Sequence, residues 1–402
     1  MPGPDKAELR TTLHRLMVSH HKNVPNYICN KLGKLIVDIG RLDWPHFYPD
    51  FFLNIHQLAQ ASDTAPLGLM LIQTAFEEFT SPREDLAVTR KEELHRLVLE
   101  QVPLVLNILA GQLDSVLEKH SHLVTATPPP SPTHYQNNGQ QALFSTSPLH
   151  SSNLISGMFK STTKNPFQCL PPLDDESHQL SVLSLKCLAQ LLGWIPLSSY
   201  ITSSLLTTVF HFASFGCHPE PVMNLGMQSS VQSLRKNTDL GIQAMSCVNE
   251  IMSKHCIPAD HEGFLLQVFQ DTFHLLQNLT KESVSTGKNT LADIDDVYVE
   301  KFTDFLTLFV TYHLKRFESN PQFPILEFLA LLFKYTFQQP SHDGFYSCLD
   351  LWNIFLDYLI YKLGNGDTNY DQTLNNLEEL DDEALDDDVS SIHNATEPQV
   401  QF

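Results

Sequence analysis

The chain is poor in positive charge. Lys and Arg together number 25 against 46 Asp and Glu, for a formal net charge of −21 over 402 residues. A chain with that balance lacks the basic face on which nonspecific nucleic-acid or anionic-membrane binding depends. It has no run of about 18 apolar residues, so no segment is expected to span a membrane. Its start, MPGPDKAELR, has no apolar leader pattern. It contains no phosphate-binding glycine loop, no GxSxG, no HExxH and no dinucleotide fingerprint, which removes the common enzyme classes. No CxxC occurs among the seven cysteines (Cys29, Cys169, Cys187, Cys217, Cys247, Cys256 and Cys348). Odd in number and scattered, they read as reduced core residues of a cytosolic or nuclear protein. His20 and His21 are adjacent, and a helix would point them apart. The pairs His211/Cys217 and His255/Cys256 lack further ligands at zinc spacing. The expectation is no catalytic site, no metal and no cofactor.

What is present is helical periodicity. Phe302, Phe305, Leu306, Phe309, Val310 and Phe317 fall on one stripe of a 3.6-residue spiral. So do Ile325, Phe328, Leu329, Leu332 and Phe333, and again Phe345, Leu349, Trp352, Phe355, Leu356, Leu359 and Ile360. No alternating strand pattern competes. Helices are expected over 7–21, 26–41, 45–60, 66–80, 89–119, 178–193, 198–213, 238–255, 259–280, 294–318, 322–338 and 342–363. Helix, turn, helix, repeated about six times at roughly 40 residues, is the pattern of an all-α solenoid of HEAT type.

Residues 42–52, LDWPHFYPDFF, hold two prolines and five aromatic rings. The expectation is a helix beginning here, capped by Asp43 or Trp44, with Pro45 in its first turn, where a missing N–H leaves nothing unsatisfied. Pro49 would then bring a kink or a restart at Tyr48. Trp44, Phe47, Phe51 and Phe52 would wedge the turn between helices. LGWIP at 192–196 repeats the device with Trp194 and Pro196, again read as a helix start.

Three stretches fit no packed core. Residues 124–177 hold eight prolines and eight serines, a composition of extended, mobile chain. Thr127 and Ser131 each precede proline there and are candidate phosphorylation sites. After Lys362 come 11 acidic residues and no basic one. In the run LEELDDEALDDD, residues Glu378, Glu379, Asp381, Asp382, Glu383, Asp386, Asp387 and Asp388 form a candidate segment for a basic partner. It lacks the central Gly and ligand alternation of a calcium loop. Residues 216–237 read as a shorter loop. The expected organisation is therefore helical repeats over 1–122, a disordered insert over 123–177, further helical repeats over 178–363 and an acidic, disordered tail over 364–402.

Three stretches carry a family likeness. LGKLIVDIGRLDWPHFYPDFF (32–52), LKCLAQLLGWIPLSSYITSSLLTTVFHFASFGC (185–217) and FYSCLDLWNIFLDYL (345–359) resemble the exportin branch of the karyopherin-β family. Trp44, Pro45, Trp194, Pro196 and Trp352 are its landmarks in this chain. Further stretches (81–102, 126–133, 300–310, 328–340 and 377–388) are similar to one actin-exporting group within that family. The resemblance implies a HEAT-repeat superhelix without enzymatic activity. It implies Ran-GTP, actin or profilin–actin cargo and nuclear pore proteins as partners, and shuttling between nucleus and cytoplasm. Members of the family are much longer chains, so the sequence reads as an amino-proximal or truncated form. It marks no residue for contact with Ran or cargo. The alternatives are a HEAT-repeat scaffold with no Ran dependence, or a truncated form without function.

Overall fold

A computed structural model of the chain describes residues 3–80, 86–126, 173–196, 201–217, 228–254, 262–280, 289–318 and 320–364. These are helical throughout, without a β-strand among them, as the periodicity predicts for an all-α HEAT-type fold. The helices are α1 (Gly3–His20), α2 (Asn26–Asp43), α3 (Phe51–Gln60), α4 (Ala65–Thr80), α5 (Val88–Leu99), α6 (Val102–Ala126) and α7 (Asp175–Trp194). They continue with α8 (Ser203–Ser214), α9 (Gln228–Met252), α10 (Glu262–Leu279), α11 (Asp296–Leu308), α12 (Leu314–Phe317), α13 (Ile325–Phe337) and α14 (His342–Gly364). A π-helical turn, Phe309–His313, joins α11 to α12. No single helix among the described residues is long and apolar enough to cross a membrane.

Several boundaries differ from expectation. The helix expected over 45–60 begins only at Phe51, so neither Pro45 nor Pro49 lies within it. The segment expected as one helix over 89–119 is two, α5 and α6, bent by 42°. Pro103 stands in the first turn of α6, where it lacks an N–H that the preceding helix would need. The loop expected over 216–237 ends early, because α9 starts at Gln228. The helix over 294–318 is preceded by a short 3₁₀ turn, Thr290–Asp293, and broken by the π turn. Of the insert and the acidic tail, 127–172 and 365–402 lie outside the described residues.

The chain divides into two compact units. One comprises Met1–Leu188 and Thr207–Gln243, the other Ala189–Leu206 and Ala244–Phe402. In the first, α2, α3 and α4 make the core. Val37, Phe51, Leu71, Ile72, Ala75 and Phe76 are all at most 1% exposed. The backbones of α3 and α4 touch. A Cβ placed on Gly68 would lie 2.2 Å from the nitrogen of Ala59. Three of the terminal carbonyls of α3, which have no partner further along the helix, are met. Ala61 N donates to Gln57 O at 3.2 Å. Thr64 Oγ1 donates to Leu58 O at 2.9 Å, and Gln112 Nε2 of α6 to Ala59 O at 2.6 Å. Gln112 in turn accepts from Ser184 Oγ of α7 at 3.0 Å. Asp174 caps α7, accepting from Ser177 N at 2.9 Å and from Lys119 Nζ at 2.8 Å. That double support holds its carboxyl well below the usual range.

The second unit is built around rings. Phe269 of α10 stacks on Phe309 with centroids 4.4 Å apart and meets Phe323 edge-on at the same distance. Phe328 and Phe317 close the cluster. The π turn sets His313 fully inside, where its Nε2 bonds to Met252 O at 2.8 Å. Asp295 caps α11 by accepting from Val297 N at 2.9 Å and Tyr298 N at 3.4 Å. Tyr335 of α13 is buried, and its hydroxyl lies 2.9 Å from Thr303 Oγ1.

Candidate interaction surfaces

The Trp44–Pro45 landmark is a helix stop, not a helix start. α2 runs through Asp43, and Trp44 N still donates to Gly40 O at 2.8 Å. The Trp44–Pro45 peptide is cis. Phe47 N and Tyr48 N both donate to Asp43 O, at 2.7 and 3.1 Å, which closes the turn before α3. Trp44 is buried, edge-on to Phe52 at 4.7 Å, while Phe51 stacks on Phe79 of α4 at 5.5 Å. Three of the four expected wedges thus do wedge. Phe47 does not, being 73% exposed at the apex of the turn.

Two arginines clamp the junction from outside. Arg10 of α1 bonds Asp43 Oδ2 at 2.8 Å and places its guanidinium 5.0 Å from the centre of the Tyr48 ring. Arg90 of α5 donates from Nη2 to Arg41 O at 3.1 Å and also to Trp44 O. Its Nη1 pairs with Glu93 at 2.6 Å. The planar fork serves the two carbonyls from one nitrogen and Glu93 from the other, where an ammonium offers a single nitrogen. Sequence reading missed both clamps, because the partners are 33 and 46 residues apart.

Trp194 and Pro196 likewise mark an end. α7 stops at Trp194, and Ile195, buried, donates to Leu191 O at 3.0 Å. Lys254 Nζ meets the Gly193 carbonyl at 2.7 Å, placing a cation at the helix C-terminus. Both Trp–Pro motifs therefore terminate helices. The structure thus corrects the helix starts that the sequence predicts at Trp44–Pro45 and Trp194–Pro196.

The third landmark, Trp352 on α14, is half-buried. Its Nε1–H donates to Thr336 Oγ1 at 2.9 Å, and its ring stands edge-on to Phe355 and Phe333 at 5.9 and 6.5 Å. Cys348, four residues before it, is buried, and burial pushes its thiol up to about 11. Trp44 and Trp352 thus hold helix to helix, each within its own unit. Thr127, Ser131 and the acidic segment from Glu378 to Asp388 lie outside the described residues.

Exposed apolar groups concentrate on α13 and α14. Between 302 and 317 the phenylalanines are inside: Phe302, Phe305, Phe309 and Phe317 are at most 2% exposed. By contrast Leu326, Phe333 and Phe337 of α13 are 80%, 58% and 65% exposed. On α14, Tyr346, Leu356, Ile360 and Leu363 are similarly open. Among the described residues no group of His, Cys, Asp and Glu side chains could hold a metal ion. A shallow depression of about 360 Å³ between α7 and α9, with Lys186 and Asp239 at its edge, opens widely to solvent.

Comparison with known proteins identifies the lineage. Residues 25–128, which span α2 to α6, match the family described as Exportin 1-like protein. Exportin-6 of Mus musculus and of Homo sapiens are each 48% identical to the chain over 96% of its length. Exportin-6 of Dictyostelium discoideum is 28% identical over 84% of it. The chain spans 36% of the length of the mouse and human relatives. By its Exportin 1-like match over residues 25–128 and its 48% identity to about a third of exportin-6, the chain is similar to the exportin family over 96% of its own length.

Proposed function

We propose that the chain acts as, or within, a nuclear export receptor that binds actin or profilin–actin together with Ran-GTP, passes nuclear pore proteins and shuttles between nucleus and cytoplasm. The observation that carries this reading is the 48% identity to exportin-6 over 96% of the chain. The fold suits the task. Stacked helical pairs can flex slightly at each interface, so two ligands can favour one shared conformation and thereby strengthen each other's binding. In this reading the repeats over 1–122 and 178–363 form the carrier. The stretch 123–177 is a regulatory insert with Thr127 and Ser131 as phosphate acceptors. The segment from Glu378 to Asp388 attracts a basic partner.

Capture experiments test it. The 402-residue chain is immobilised and offered profilin–actin with Ran loaded with a non-hydrolysable GTP analogue or with GDP. The expected result is capture of Ran and actin together, strongly favoured by the GTP state and, at low salt, weakened by deletion of 377–388. Equal capture of actin with Ran-GDP would mean a scaffold without Ran dependence and would end the export reading.

A further inference from the structure

The depression between α7 and α9 gathers polar side chains that have no partner. Gln179, Val182, Leu183 and Lys186 of α7 line it from one side, Asp239 and Gln243 of α9 from the other. All six belong to the first unit. Both walls come from the middle of the chain, with α6 before them and α10 after. The four α7 residues fall within two turns and share one face, about 11 Å long at ~1.5 Å per residue. Val182 and Leu183 are half-buried and form the apolar part of the lining, while Gln179, Lys186 and Asp239 are exposed beside them. Among the described residues, neither glutamine amide, nor the Lys186 ammonium, nor the Asp239 carboxylate makes a hydrogen bond or ion pair. Singly, such groups are ordinary solvated surface. Four that converge on one concavity from two helices are the mark of a binding site.

Their chemistry narrows the occupant. A primary amide carries a donor and an acceptor side by side, as a peptide unit does. One glutamine on each wall can therefore pair with the N–H and C=O groups of an extended main chain. A docked helix has used those groups internally except at its ends and would leave both amides idle. A nucleic-acid strand needs several cations, and the lining holds one Lys and no Arg. A compact small molecule would stay largely in water, because the depression is shallow and open. In an extended chain successive side chains point to opposite sides, so a segment lying between α7 and α9 turns one residue toward each wall. Lys186 and Asp239 stand on different walls. They select an acidic residue toward α7 and a basic one toward α9, at adjacent positions or an odd number apart. We infer that the α7–α9 groove binds an extended segment of a partner protein, holding its main chain with Gln179 and Gln243 and an acidic–basic pair of its side chains with Lys186 and Asp239. At ~3.3 Å per residue the groove spans about three residues of such a segment. The inference goes beyond the transport reading and does not rest on it.

The test uses the full chain and blocked, dye-labelled peptides of Thr and Val, residues that favour extended chain, with Glu-Arg at the centre. Fluorescence anisotropy at low salt should show saturable binding. The double variant Gln179→Ala, Gln243→Ala should weaken it about tenfold. Methylating the central peptide nitrogens of the probe, which removes main-chain donors and keeps every side chain, should weaken it by a similar factor on the unaltered protein. Twin probes with Glu-Glu or Arg-Arg at the centre should bind about threefold more weakly than Glu-Arg. Lys186→Glu, which leaves an acid on each wall, should make Arg-Arg the preferred probe. Gln179 and Lys186 are exposed and Gln243 is half-buried, so the helical circular dichroism of these variants should match the parent. Three results each overturn the proposal: no saturable binding of the Glu-Arg probe, equal affinity for its methylated twin, or a charge preference that Lys186→Glu leaves unchanged.

Discussion

Gly68 and Gly111 both lie inside helices of the same unit, yet adding one methyl group to each should act in opposite directions. At Gly68 the new Cβ would stand 2.2 Å from Ala59 N, 2.4 Å from Ala59 Cα and 2.7 Å from Leu58 C. All three are main-chain atoms of α3, so no side-chain rotation relieves the overlap, and α3 and α4 must separate. Overpacking typically destabilises by ~1–3 kcal/mol, and a clash with rigid backbone belongs at the upper end or beyond. Better helix propensity returns ~1 kcal/mol. Gly68→Ala should therefore lose about 2 kcal/mol or more. At Gly111 of α6 a Cβ meets nothing within 4 Å. Only the propensity remains there, and Gly111→Ala should gain up to ~1 kcal/mol. Because a chain with two units need not unfold in one step, the assay should be local. Hydrogen exchange followed by mass spectrometry on peptides from 51–80 should show protection reduced about 30-fold in Gly68→Ala, the equivalent of ~2 kcal/mol. Protection within about twofold of the parent would refute the close approach of the two helices and with it the described core of this unit.

Two further perturbations probe polar groups. Arg90→Met keeps the apolar stem but withdraws the donors from Arg41 O and Trp44 O; the expected loss is about 1–2 kcal/mol, read as faster amide exchange over 41–50, and a fully effective Arg90→Lys would show that the two-carbonyl fork is not the reason. For Asp271, burial raises the pKa from 3.8 to about 6, partly opposed by a hydrogen bond from Gln267. The folded chain thus holds this proton more tightly than the unfolded one, so the group's contribution is most favourable below about pH 4 and is lost as the pH rises to about 6. Asp271→Asn should raise the melting temperature at pH 7.5 and leave it nearly unchanged at pH 4; equal shifts at both would contradict a half-buried, reluctant carboxylate.

How far the sequence could be read depended on the range of the forces involved. Apolar spacing is a local property, and it located nearly every helix, because burying one stripe is what stabilises each of them. Where two local rules competed, the reading went astray. At 42–52 the rule that proline suits a first helical turn favoured a start at Pro45, but a helix beginning there would place Pro49 where it must lose a hydrogen bond and crowd the preceding turn. Delaying α3 to Phe51 keeps both prolines out of any helix and still buries Trp44 against Phe52 and Phe79. The outer stripe of α14 was hidden for a different reason. Its residues interleave with those of the inner side, and periodicity puts Leu349, Leu356 and Ile360 on one stripe with Trp352 and Phe355, because leucine and isoleucine look the same to it on either side. Only the packing of α11, the π turn and α13 against one half of α14 separates them. The aspartates at 343, 350 and 357 carried the missing signal. A helix whose charges recur every seven residues beside an apolar stripe has declared which of its faces stays outside the core, since three carboxylates cannot be buried there without partners.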